Sequence, residues 1–426
     1  MGIWLSTSLV VGNMMGSGIF LLPAALAVYG GISIFGWLFT SIGALFLALV
    51  FSRLSKLITN AGGPYAYSKE SFGDFTGYLV AWGYWVSIWC GNAAISVAGV
   101  GYLSVFVPEI KSNSIVSSSL AIIVLWLFTY INSKKIRSVG IVQLTTTILK
   151  IIPLLVLATL GFLYFNTEHF IPFNLSGLTN YEAISATASL TLWAFLGLES
   201  ATIPSDKVKN PKNTIPISTI LGTLITAIIY ISSTVAVMGI ITPNVLQTST
   251  APFADAAKIV WGSWSYYAVA LGAAISCFGA LNGWILLQGQ IPLAAAKDDL
   301  FPMIFKKTSK HGVPIIGIII SSVFASILVS MNFARGLVSM FSFMIMLSTL
   351  TVLLPYIVST LAEFFIHLKY EKNIKSKQLL KSLIISIPAF LFSIWAVIGL
   401  GYEIILWGIL LLVIGIPLFL FKKRKM

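Results

Sequence analysis

The stretch Gly12-Asn13-Met14-Met15-Gly16-Ser17-Gly18, with Pro23 shortly after it, interrupts an apolar run over residues 3–28. A bilayer core roughly 30 Å thick needs about 20 apolar residues per helix, so this run is long enough to cross. An unbroken spanning helix bonds its own amides to its own carbonyls. Three glycines and a proline set some of those groups free, which hydrocarbon does not tolerate unless other groups satisfy them. Gly12 and Gly16 by themselves have the GxxxG spacing of close helix packing. Packing, however, needs small residues one turn apart, not this density of glycine beside Asn13 and Ser17. The fuller reading is a broken helix whose free N–H groups suit an anion such as the carboxylate of an amino acid.

A second interruption, Trp193-Ala194-Phe195-Leu196-Gly197-Leu198-Glu199-Ser200, lies at a similar depth in the run at 184–205. Outward from these two, the apolar runs are 3–28, 32–58, 76–107, 115–133, 139–165, 184–205, 214–242, 255–296, 313–331, 336–366, 379–400 and 402–421. They predict an all-α integral membrane protein of twelve transmembrane helices. The eighth is long enough to carry an amphipathic turn outside the membrane before it enters. The two broken runs are the first and the sixth. That offset is expected of an inverted repeat with a substrate site between two discontinuous helices at the midplane.

With 58% hydrophobic and 9% charged residues in 426, and a mean hydropathy of +0.95, the chain must dissolve in lipid and leaves no room for a soluble domain. The net charge of +13 reads as topology rather than nucleic-acid binding. Arg53, Lys56, Lys69, Lys134, Lys135, Arg137, Lys207, Lys209, Lys212, Lys297, Lys306, Lys307 and Lys310 fall in alternate loops, together with the 369–381 lysines and the Lys422 to Lys425 tail. The intervening loops hold Glu109, Glu168, Glu182, Asp255 and Glu403 with only Lys111, Lys258 and Arg335. The positive-inside rule then puts both termini in the cytoplasm of a plasma or inner membrane. The lysine-rich loop and tail make anionic lipid a further partner.

Cys90 and Cys277 lie inside apolar runs and read as buried thiols. His169, His311 and His367 read as loop residues that form no metal cluster. No Walker motif, nucleophile elbow or dinucleotide fingerprint is present, so neither a cofactor nor an enzymatic reaction is expected.

Glu199 is the acidic residue set deepest in a predicted span. A charge there costs roughly 2.5–3.5 kcal/mol on insertion scales and marks function by default. Lys150, three residues before Pro153, is the second candidate, with an ion pair or snorkelling as its structural alternative. Glu363, near His367 and Lys369, reads as interfacial. Trp193 and Trp284 are midspan rather than in the interfacial belts, which suggests a pocket whose indole faces hold a cation.

These residues match a known family. Gly12 to Pro23, Gly62-Gly63-Pro64-Tyr65-Ala66-Tyr67, Gly91-Asn92, Gly99-Val100-Gly101-Tyr102-Leu103-Ser104, Leu192-Trp193, Gly197, Glu199-Ser200-Ala201, Lys209-Asn210-Pro211-Lys212 and Gly283-Trp284 resemble the amino acid–polyamine–organocation transporters. Within that family the chain is most similar to the bacterial arginine/agmatine antiporters. The resemblance implies one transport domain over 1–426 with a LeuT-type fold: a first repeat at 1–165, a second at 184–366, and two trailing helices at 379–421.

It also implies site roles. Met14, Ser17 and Gly18 would take the amino-acid end, Trp193 would close over the substrate, and Asn92, Ile95, Leu196, Trp284 and Ser348 would line the side-chain end. Tyr84, Glu199 and Tyr356 would form the inner gate with Asn13 nearby, and Tyr65 would be a proton-responsive group on the cytoplasmic path. Ser87 and Ile88 beside the site, and Lys150 on the fifth helix, depart from the antiporter pattern. The function implied is exchange of external arginine for internal agmatine in support of acid resistance. The rivals are proton-coupled movement of another amino acid or polyamine through Lys150 and, from a different class, a non-transporting sensor. That branch forms dimers, so a homodimer is open here.

Overall fold

In the computed structural model, which describes residues 2–16, 18–58, 63–134, 151–152, 154–202, 208–310, 312–370 and 376–423, the first apolar run forms two helices. They are α1 (Ile3–Met14) and α2 (Gly18–Ala27). Gly16 N–H turns back to the Met14 carbonyl at 2.8 Å, and the Tyr230 hydroxyl donates to the same carbonyl at 2.6 Å. Beyond the break the Tyr102 hydroxyl donates to the Phe20 carbonyl at 2.7 Å, close to Pro23, which brings no amide of its own. Hydroxyls from neighbouring helices thus take up carbonyls at the break, which lets a broken helix lie buried.

α3 (Ser33–Leu57) follows. Gly63, at φ +53°, then turns the chain into α4 (Pro64–Phe72), where Pro64 opens the helix because its missing N–H costs nothing in the first turn. α5 (Asp74–Leu103) leads to α6 (Ser114–Ser133), capped by the Asn113 side chain, which accepts from the amides of Ile115 and Val116. The fifth run ends in α7 (Leu154–Tyr164); most of it lies outside the described residues.

The sixth run opens as α8 (Asn180–Leu192) under a capping box between Thr179 and Glu182. At Trp193 it loosens into tight turns around Gly197, whose φ of +101° no branched side chain would accept. After α9 (Pro211–Ile240), Gly262 at φ +82° divides the eighth run into the amphipathic α10 (Pro252–Trp261) and the spanning α11 (Ser263–Lys297). α12 (Ile315–Met331), α13 (Leu337–Tyr370), α14 (Ser376–Gly399) and α15 (Tyr402–Lys423) complete the described chain.

Among the described residues 9 helical segments are long and apolar enough to cross a membrane. The fifth run, the interrupted sixth and the 17-residue α12 make up the rest of the twelve. Burial ranks them by position: 94% of the α5 window and 88% of the α1–α2 window are buried, against 17% for α15. The broken helix and α5 therefore form the centre, and the last helix faces lipid.

Two expectations are corrected. Glu363 is not interfacial: it is fully buried and receives Arg53 Nε at 2.9 Å, the Ser386 hydroxyl at 2.5 Å and the Ser382 hydroxyl. α13 continues to Tyr370, so Glu363 lies inside the helix, turned toward α3 and α14 rather than toward water. For the same reason His367 belongs to a helix and not a loop. Cys90 and Cys277 are buried free thiols.

Candidate functional site

The two breaks and α5 border a small cavity. α5 lines it with Tyr84, Ser87, Ile88, Gly91 and Ile95, a spacing of three and four residues that puts them on one helical face. The first break supplies Asn13, Met14, Gly16 and Gly18; the second supplies Trp193, Leu196 and Glu199. Trp284 of α11 and Ser348 and Val352 of α13 close the remaining side.

Trp193 spans this space between two glycines. A β-carbon at Gly18 would lie 3.0 Å from its Cδ1 and Nε1, and one at Gly91 would lie 2.7 Å from its Cη2. Only hydrogen at both positions lets the indole lie across the cavity.

Opposite, Glu199 is fully buried and both its oxygens are taken. Tyr84 donates to Oε1 at 2.6 Å and Tyr356 to Oε2 at 2.7 Å. Those two hydroxyls join α5 and α13 through the broken sixth helix. Asn13 Nδ2 donates to Ser200 Oγ at 2.9 Å, so the two breaks are also joined directly. Ser87 and Ser348 are 3.0 Å apart at their hydroxyls, and Ser348 also donates to the Ser87 carbonyl at 2.7 Å.

Other sequence candidates fall elsewhere. Asn92 shares the α5 face but turns its amide to Gln288 rather than lining the cavity. Tyr356 stands behind Glu199. Tyr65 begins α4, away from the cavity, and donates to Asp298 Oδ2 at 2.6 Å, where Lys69 also reaches at 3.1 Å. Burial, and then that hydrogen bond, push the Tyr65 phenol above its ordinary value. Partial burial alone would raise Asp298, but the bonds from Tyr65 and Lys69 outweigh it and hold the carboxyl below its usual range. Ser17 and Lys150 lie outside the described residues.

Sequence reasoning missed Gly16, Gly91 and Val352 as lining residues, and Ser200, Gln288 and Asp298 as partners. The α5 spacing would have found Gly91. Nothing local marks Gln288 or Asp298, which meet their partners only across helices. Among the described residues no three His, Cys, Asp or Glu side chains gather as a metal site.

A broken helix presenting the first-turn amides of α2, indole faces, paired hydroxyls and one buried carboxylate can hold a small amphoteric molecule in the middle of a membrane. Fold and site together define a multi-pass membrane transporter. The comparisons agree: the family model for "Amino acid permease" matches residues 1–421, and the chain belongs to that family, within the amino acid–polyamine–organocation superfamily.

A cadaverine/lysine antiporter of Escherichia coli K12 is 37% identical over 369 residues, covering 84% of this chain and 82% of its own. A putrescine transporter of Haemophilus influenzae is 34% identical, covering 98% and 96%. A putative arginine/ornithine antiporter of Bacillus subtilis is 32% identical, covering 100% and 97%. Among solved structures, the Eremococcus coleocola manganese transporter superposes with a TM-score of 0.64 over 98% of this chain and 93% of its own, at 10% identity. That likeness shows the LeuT-type fold alone.

Proposed function

We propose that this protein exchanges an external cationic amino acid for the internal amine left when that amino acid loses its carboxylate. The observation that carries the reading is the cavity between the two breaks, lined by the Trp193 indole and by a Glu199 whose oxygens are both engaged by tyrosines. The two substrates share a cationic tail and differ by one carboxylate. A site that holds the tail on indole faces and hydroxyl dipoles, with no unengaged anion, accepts both and releases both. The carboxylate of the amino acid is met at Met14, Ser17 and Gly18, at the free amides of the break.

Trp193 acts as the outer gate and the Tyr84–Glu199–Tyr356 group as the inner one. Arginine for agmatine is the pair the sequence motifs favour; each turnover exports one positive charge and, beside a cytoplasmic decarboxylase, consumes protons in acid. The relatives, named for lysine and cadaverine, putrescine, and arginine and ornithine, support the substrate class. On this reading the protein lies in a bacterial inner membrane with both termini cytoplasmic, as one domain of repeats 1–165 and 184–366 with trailing helices at 379–421.

The test is uptake of labelled arginine or lysine by liposomes preloaded with agmatine, cadaverine, putrescine or nothing. Uptake that requires internal amine supports exchange and identifies the pair. Equal uptake into empty liposomes, driven by a proton gradient, replaces exchange with proton coupling.

A further inference from the structure

A second pocket, of about 470 Å³, lies over one end of the central cavity. Three segments place it there. Along α2 the cavity is lined at Gly18 and the pocket at Ala25. On α13 the pocket is lined at Ser342 and Met346 and the cavity at Ser348, and Leu190 of α8 lines the pocket one turn before Trp193 lines the cavity. The pocket is thus stacked on the cavity at the end of α13 opposite Tyr370 and the lysine-rich 369–381 loop, the end that the charge pattern makes external.

The two charged residues on its wall stand side by side. Arg335 Nη2 meets Glu403 Oε1 at 2.8 Å, and the guanidinium lies 4.5 Å over the ring of Phe343, which also lines the pocket. The two side chains are 41% and 58% exposed, so a solute can reach both. At that exposure the pair does little for stability. Its single contact leaves the guanidinium most of its five N–H donors and the carboxylate most of its acceptor positions. A cation and an anion this close match a molecule that carries both charges on one carbon, its carboxylate on the guanidinium and its ammonium on the carboxylate. An amine without the carboxylate forms half of that arrangement and sets a cation against Arg335.

We propose that this outer pocket is a recruitment site for α-amino acids, in which Arg335 takes the carboxylate and Glu403 the ammonium before the molecule passes inward to the cavity beside Trp193. The inference rests on the exchange reading above and deepens it: the central cavity accepts both substrates, and the outer pocket favours the one that must enter. The pocket alters competition for entry, so that exported amine competes less with external amino acid. The equilibrium stays set by the gradients.

The experiment uses right-side-out membrane vesicles carrying wild type, Arg335→Gln or Glu403→Gln. It measures concentration-dependent entry of arginine and lysine into amine-loaded vesicles, and of agmatine and cadaverine into amino-acid-loaded ones, with thermal melting in detergent as a folding control. Both substitutions break the same ion pair, so a structural role changes all substrates alike in both variants. The recruitment site gives two different patterns. Arg335→Gln raises KM for the external amino acid about fivefold, the upper end for an exposed charge pair, changes kcat less, and leaves KM for the external amine unchanged or lower. Glu403→Gln raises KM for both, because both carry an ammonium. The dependence on internal substrate stays that of wild type in each variant. Equal changes for every substrate in the two variants, or an unaltered KM for the amino acid in Arg335→Gln, overturns the inference. Amino-acid entry that needs no internal amine but shows the same KM pattern overturns the exchange reading and leaves the pocket standing.

Discussion

The ring of Trp193 occupies the space that a side chain at Gly91 would need: a β-carbon built there meets Cη2 at 2.7 Å. The contact lies between a broken helix and the most buried straight one. A rigid indole cannot yield as a flexible chain would, so Gly91→Ala must move the ring. Overpacking of this kind costs about 1–3 kcal/mol. Since the ring lines the cavity, substrate affinity is expected to fall about tenfold, together with a modest fall in melting temperature. Uptake kinetics and tryptophan quenching by substrate check it; unaltered affinity would show that the ring does not close on the substrate.

Glu199 joins α5 to α13 through two hydroxyls. Glu199→Gln keeps one acceptor and adds an NH₂ that a tyrosine oxygen can accept, so the protein is expected to fold and to exchange, but with a flattened pH dependence. Glu199→Ala strands two buried hydroxyls, at about 1–3 kcal/mol for each. Exchange rates between about pH 5 and 8 together with thermal melting separate the two variants. A wild-type pH profile in Glu199→Gln would remove Glu199 from the gate.

Arg53 is the ion-pair partner of a carboxylate with no exposure to water. Arg53→Ala removes a cation from the buried Glu363 carboxylate, a change expected to cost up to about 3–5 kcal/mol, the range for a broken buried pair. Arg53→Ala combined with Glu363→Gln should recover much of it, since Ser382 and Ser386 still bond an amide oxygen. The comparison is one of melting temperatures in detergent.

The Tyr65–Asp298–Lys69 contact tests the expectation of a proton-responsive tyrosine. The folded Asp298 carboxyl titrates below its ordinary value and Tyr65 above its own. The stabilisation from Asp298 is therefore complete above the unfolded carboxylate pKa of roughly 3.9 and is lost only as pH falls through the lower folded value. Neither group changes charge between about pH 5 and 8. Tyr65→Phe is thus expected to shift exchange rates by one factor across that range without changing the curve's shape. The half-exposed Lys69–Asp298 pair contributes little, and Lys69→Met should cost no more than about 1 kcal/mol.

Much of this was legible in the chain because the bilayer enforces one rule along its whole length: backbone groups must be satisfied within each helix. Violations therefore show locally, at Gly16-Ser17-Gly18 and at Leu196-Gly197-Leu198, and Glu199 declares itself by its cost at that depth. Glu363 misled because its neighbours in sequence, His367 and Lys369, belong to a helix end, whereas its partners Arg53 and Ser386 come from other helices. Asn92 shows the same limit: its position on α5 was readable, and the direction of its amide was not.

The sequence by itself determined the twelve spans, the two breaks between which the cavity forms, and membership in a transporter family. These depend on hydropathy and helix continuity, which act between residues a few positions apart. Only the tertiary structure decided that Trp193 lies between Gly18 and Gly91, that Tyr84 and Tyr356 share one carboxylate, and that Asn92 donates to Gln288. Each of these is a contact between helices far apart in the chain, fixed by packing geometry to a few tenths of an ångström, and no periodicity along a single helix encodes it.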